Sequence, residues 1–167
     1  RLSPEKHIEN VIVTAEALAK QGKRFRWFIV GDGVQRTDLE EQIWEKALSD
    51  CVFFVGSKKN PYPYMKWADL FVHPSYVESQ GIVILESMAL RIPCVVTKSL
   101  GPCEFIQDNV NGILTEQNLE SLTAQVLRMM QDKELYERIK ENENCPEQFA
   151  PEAVIGLIYR TIEGKKK

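Results

Sequence analysis

The chain has 167 residues, enough for one domain with a sizeable core or for half of a two-domain enzyme. Its sequence pI is near 5.5, and the formal net charge of −3 leaves no basic surplus to gather on one face, which excludes a nucleic-acid footprint. Cys51, Cys94, Cys103 and Cys145 form no CxxC pair and have no histidine at metal spacing, a usage that fits a reducing cytosol. No signal-peptide pattern opens the sequence, and the longest apolar runs are far too short to span a bilayer. The Lys165-Lys166-Lys167 run reads as a solvated tail.

Ser3-Pro4 is a good N-cap and first-turn pair, and Ile8, Val11, Ile12, Ala15, Leu18 and Ala19 recur at helical spacing until Gly22 closes the element. Phe25 to Val30 is a strand ended by Gly31-Asp32-Gly33, and a helix follows from about Thr37 to Leu48. Val52 to Val55 is a short strand, then a polar loop leads into a short helix over residues 61–68. Leu70 to His73 is the next strand, followed by a polar turn and a helix through Ala89. Cys94 to Thr97 and Gly112 to Leu114 are further strands, separated by a short helix from Gly101 to Ile106. Helices near Leu119 to Met130, Glu134 to Glu141 and Pro151 to Ile162 complete the order. Strand and helix alternate, and the strands are short continuous apolar runs. That pattern predicts one α/β domain, a Rossmann-like, doubly wound parallel sheet with helices on both faces, spanning residues 1–167. In this architecture ligands bind beyond the carboxyl ends of the strands.

The stretch Glu78-Ser79-Gln80-Gly81 and the helix after it are the most telling part of the sequence. The helix is apolar almost all round and should be buried, yet it carries Glu86. A buried carboxylate needs donors, and these could come from Arg91, a lysine, or the vicinal hydroxyls of a ribose. The turn before the helix offers free backbone N–H groups, an anion site. Arg1 and Lys6 oppose the dipole of the first helix and suit a phosphate, although a pair of surface charges is the plainer reading. Gly31-Asp32-Gly33 lacks the third glycine of a dinucleotide fingerprint and reads alone as a tight turn. Asp38-Leu39-Glu40 reads as a solvated helix face, and His73 as a satisfied core histidine at the ligand-binding edge.

Taken in order, Arg1-x4-Lys6, Gly31-Asp32-Gly33 and Glu78-x7-Glu86 resemble the C-terminal, donor-binding domain of the retaining GT-B glycosyltransferases of family four. Asn60-Pro61-Tyr62-Pro63-Tyr64, Ala68 to Val72, Ile92 to Val96 and Gly101-Pro102-Cys103-Glu104 are similar to the same family, in members that build bacterial surface polysaccharides. The resemblance is close from Arg1 to about Leu114 and looser in the helical tail.

The resemblance implies that Arg1 and Lys6 hold the diphosphate of a UDP- or GDP-sugar without a metal or other cofactor. It places the amides of Gln80, Gly81 and Ile82 on the phosphate, Glu86 on the ribose, and Glu78 on the transferred sugar. Gly31 and the loop from Gly56 to Lys58 would border the nucleotide. It further implies front-side transfer with retention to a glycan or lipid-linked acceptor held by an N-terminal domain. A cytoplasmic enzyme with peripheral contact to the inner membrane face would fit that role. That domain, and a central strand of the sheet, would precede Arg1, so the chain alone would be inactive. The sequence departs from the family at Gln80, where an aromatic is usual, and at Arg91, where glycine is usual. A sugar-nucleotide epimerase, a phosphorylase and a non-catalytic receiver-like module are the alternatives.

Overall fold

The structure is a computed structural model that describes residues 2–142; Arg1, Cys145 and the helix expected over 151–162 lie outside these. The elements are α1 (Ile8–Lys20), β1 (Trp27–Val30), α2 (Arg36–Glu45), β2 (Val52–Gly56), α3 (Tyr62–Lys66), β3 (Phe71–His73) and α4 (Ile82–Ala89). They continue as β4 (Cys94–Thr97), α5 (Leu100–Phe105), β5 (Ile113–Thr115), α6 (Leu119–Gln131) and α7 (Lys133–Asn142).

Among the described residues every strand pairing is parallel, as expected for continuous apolar strands separated by helices. The strands fall into two hydrogen-bonded groups, β1–β2 and β3–β4–β5, rather than one continuous sheet. Trp27 pairs with Val52 in the first group, and Val95 stands between Val72 and Ile113 in the second. Side chains on β4 alternate between the two layers. Val95 packs with Ile113, α1, α6 and α7, whereas Cys94 and Val96 pack with Ile84, Met88 and Phe105 from α4 and α5. A third cluster joins Val11, Ile12 and Ala15 of α1 to Ile29, Leu39, Ile43 and Val52. On the other face of β1, Phe28 and Val30 are exposed among the described residues, so the strand is covered on one side there.

Two of the helices depart from the sequence expectation, one in its end and one in its burial. The pattern carries the second helix to Leu48, but α2 stops at Glu45 because Ala47 turns left-handed at φ 54°. That turn drops Leu48 into the core, where its amide bonds the Ile43 carbonyl at 2.9 Å. The helix predicted to be wholly buried, α4, buries Ile84, Ser87 and Met88 but leaves Ile82 59% exposed. Beyond its end Arg91 takes a left-handed φ of 56°, with its amide on the Met88 carbonyl at 2.9 Å.

A Cβ in that conformation costs about 1–2 kcal/mol, and the unfolded-state freedom of glycine offsets roughly 0.5–1 kcal/mol of what a glycine would recover. Arg91→Gly should therefore stabilise the protein by about 0.5–1 kcal/mol in urea unfolding, read as a higher midpoint at unchanged slope.

Candidate functional site

The site is assembled where the chain enters between the ends of β1 and β3. The Leu2 amide donates to the Asp32 carbonyl at 3.0 Å, just past β1, and the Gln35 amide donates to the Leu2 carbonyl at 3.4 Å. A Cβ on Gly33 would stand 2.2 Å from that Leu2 carbonyl oxygen, so only glycine lets the two backbones meet. Four residues on from Leu2, past Glu5, whose carbonyl accepts from the Ser75 hydroxyl at 3.0 Å beyond β3, comes Lys6. The single helix start expected at Ser3-Pro4 is instead a 3-10 turn over Pro4–Lys6, broken from α1 by His7 at φ 48°. The His7 ring packs against Tyr76 there, tilted by 30° with centroids 3.8 Å apart.

This entry path sets Lys6 against Glu78. Lys6 Nζ donates to Glu78 Oε2 at 3.0 Å, His73 Nε2 lies 3.2 Å from the same oxygen, and the Gly81 amide donates to Glu78 Oε1 at 3.1 Å. Burial pushes the Glu78 carboxyl upward, but Lys6 and the Gly81 amide outweigh it and hold the group down at about 2. Burial likewise holds His73 down, to about 4, against the pull of Glu78, so its imidazole is neutral at pH 7. A neutral ring facing an ionised carboxylate must present its N–H, which puts the proton on Nε2.

The sign of the pH effect follows. The unfolded chain binds a proton on His73 near pH 6.5 and the folded chain only near pH 4, so His73 makes stability rise with pH across that window. Stability should fall as pH drops from about 6.5 towards 4, and His73→Gln should flatten that part of a pH–stability curve.

Glu86 is half-buried on α4, and its donor is neither Arg91 nor a lysine. Tyr62 Oη, at the start of α3, donates to Glu86 Oε1 at 2.9 Å, and among the described residues Glu86 forms no ion pair. Its carboxylate keeps acceptor capacity beyond that one bond. The Gly31 amide donates to the Gly56 carbonyl at 3.0 Å, tying together the ends of β1 and β2. Lys58 extends over the Tyr64 ring at 5.7 Å. Asp32 accepts from the Gly33 amide at 2.9 Å and from Arg36 at 3.1 Å, so it stiffens the turn. On the solvated face, Glu40 pairs with Arg36 at 2.8 Å while Leu39 is buried.

The structure thus brings together Lys6, Glu78 and the amide of Gly81, which donates to Glu78 rather than standing free for a phosphate, with Gln80 and Ile82 exposed beside them and Glu86 farther along the same helix. Gly31 and Gly56 meet at neighbouring strand ends, with Lys58 in the following loop. Arg1 lies outside the described residues. The sequence reading missed Tyr62 as the partner of Glu86, because 24 residues separate them and no local pattern links them. It also missed the link from His73 to Glu78, five residues apart across an irregular loop. Among the described residues no three His, Cys, Asp or Glu side chains group to hold a metal ion. No described helix is long and apolar enough to cross a membrane.

Residues 1–144 match the family described as Glycosyl transferases group 1. The chain is 36% identical over 145 residues to an alpha-D-kanosaminyltransferase of Streptomyces kanamyceticus, covering 85% of this chain and 38% of that protein. It is 31% identical over 153 residues to the lipopolysaccharide core biosynthesis glycosyltransferase LpsE of Rhizobium meliloti, covering 90% and 45%. HepE from Anabaena, solved in complex with UDP-glucose, superposes with a TM-score of 0.89 at 27% identity, over 98% of this chain and 47% of that one. The chain spans less than half the length of these relatives. With parallel strands, covering helices and a matched family signature, this chain belongs to the group 1 glycosyltransferases, and its α/β fold matches part of a GT-B glycosyltransferase.

Proposed function

We propose that this chain is the donor-binding part of a retaining glycosyltransferase that takes a UDP- or GDP-sugar and passes its hexosyl group to a glycan or lipid-linked acceptor. The observation that carries the reading is the Lys6–Glu78 pair at the N-terminus of α4, with Glu86 on the same helix. A diphosphate at that helix start meets a lysine, oriented amides and the positive end of the helix dipole together. Lys6 stabilises the negative charge that develops as the diphosphate leaves, and Arg1, five residues earlier in sequence, is assigned to the same group. Glu86 accepts from the ribose hydroxyls, and Glu78 faces the sugar. No bound metal is required in this scheme, since cations of the chain neutralise the leaving group. The complex of HepE with UDP-glucose supports a nucleotide sugar as the ligand class.

The sheet supports a longer protein. Among the described residues β1 pairs only with β2 and β3 only with β4, while Leu2 and Glu5 lie against the ends of β1 and β3. A parallel strand running into Leu2 could pair with those edges, and a preceding domain would carry the acceptor. In this reading residues 1–167 alone bind donor at most and transfer nothing.

The test is a screen of UDP- and GDP-sugars with the full-length protein, followed by the anomeric configuration of the product by NMR. Retention is expected; inversion, or free sugar without transfer to any acceptor, would contradict the reading.

A further inference from the structure

We propose that His73 is a positioning residue that keeps the Glu78 carboxylate in place, through an Nε2–H···Oε2 hydrogen bond, when an incoming sugar diphosphate draws Lys6 away. The inference rests on the function proposed above and adds a residue to it.

In the structure Lys6 and His73 both reach Glu78 Oε2, at 3.0 and 3.2 Å, while Oε1 accepts from the Gly81 amide at 3.1 Å. The two side chains on Oε2 are not equivalent. Lys6 is a flexible ammonium with three donors, and its side chain is the more open at 28% exposed. It is the partner that can turn to a phosphate. His73 is 10% exposed, sits on β3 opposite Val96, and stacks on Phe71 with centroids 6.2 Å apart. Its ring cannot follow a ligand.

The charges around His73 suit that role. Glu78 favours its protonation, Lys6 opposes it, and burial opposes it more, so the ring stays neutral. A neutral N–H holds the carboxylate without cancelling its charge and without competing with Lys6 for phosphate. Once Lys6 has moved, His73 and Gly81 still give Glu78 one donor on each oxygen, so the acid keeps its orientation towards the sugar. With leucine at 73, Glu78 would keep only the Gly81 amide and would follow Lys6 or turn to water.

The experiment measures Kd for UDP and for UDP-glucose on the full-length protein, as wild type, His73→Leu and His73→Gln. The ratio of the two constants isolates the contribution of the sugar. His73→Leu should shift that ratio by about tenfold against UDP-glucose while UDP alone binds within about threefold of wild type. His73→Gln, whose amide N–H can still reach the carboxylate, should keep the ratio within about threefold. A ratio unchanged in His73→Leu would overturn the role. So would equal shifts for UDP and UDP-glucose, which mark a merely structural histidine. Ring nitrogen NMR of the wild type tests the point without any variant: Nε2 should carry the proton in the free and the UDP-glucose-bound protein. A proton on Nδ1, or a charged ring at pH 7, would overturn it. Wild type that binds no UDP-glucose or UDP would instead strike the parent reading, before His73 enters.

Discussion

Lys6→Ala is expected to lower the transfer rate of the full-length protein by about a hundredfold or more, the usual cost of removing one preorganised donor to a developing negative charge. Lys6 is poised for that role by the backbone. Leu2 is pinned to Asp32 at 3.0 Å and the Glu5 carbonyl to Ser75 at 3.0 Å, so the lysine is placed before any ligand arrives. The variant also makes a pH prediction that an unrelated surface lysine would not. Burial raises the Glu78 carboxyl, and Lys6 is the foremost influence holding it down at about 2. Without Lys6 the carboxyl of the free enzyme should titrate at higher pH, so kcat/KM of the variant should begin to fail at a higher pH than that of wild type. Steady-state rates against pH read both effects. A loss confined to KM, with an unshifted acid limb, would show that Lys6 only helps to hold the donor.

Gly33→Ala should be the most damaging small substitution in the turns at the strand ends. Its backbone conformation asks for nothing unusual, but an added Cβ would lie 2.2 Å from the Leu2 carbonyl oxygen and 2.7 Å from the Leu2 nitrogen. Both contacts are with backbone, so no side chain can yield. Relief requires the entering segment at Leu2 to lift. That breaks the Leu2–Asp32 and Gln35–Leu2 hydrogen bonds and withdraws the Leu2 side chain, 2% exposed, from the core. A loss of about 3 kcal/mol of stability is expected, from partial withdrawal of a buried leucine and two broken bonds. Lys6 would be displaced with it, so activity should fall further than the unfolded fraction explains. Chemical unfolding and specific activity below the transition separate the two losses. Unchanged stability would show that the chain near Leu2 adapts, and that the close approach does not fix Lys6.

The order and type of the described elements were legible because each follows a local rule. Apolar runs of three to five residues, the first two bounded by Gly22, Gly31 and Gly56, read as strands and turns in an α/β chain. The site was legible in part for the same reason: Glu78, Gly81 and Glu86 lie in one continuous stretch, and helix geometry relates them. What the sequence hid was set by contacts between distant segments. The ionic partner of Glu78 is 72 residues away, and the phenol that meets Glu86 is 24 away. The division of the strands into two groups depends on which edges find partners, which no single segment encodes. The left-handed turns at His7, Ala47 and Arg91 were equally hidden, since none of these residues prefers that conformation and tertiary packing imposes it.

The most direct test of the account is calorimetric titration of the full-length protein, wild type and Glu86→Ala, with UDP and with its 2′,3′-dideoxyribose analogue. Wild type should bind UDP saturably and lose about tenfold or more in affinity when both ribose hydroxyls are removed. Glu86→Ala should bind both forms with the same weakened affinity, because the group that reads the hydroxyls is gone. A Glu86→Ala protein that still prefers UDP over the analogue as strongly as wild type would contradict the assignment of Glu86 to the ribose, and with it the placement of the donor along α4.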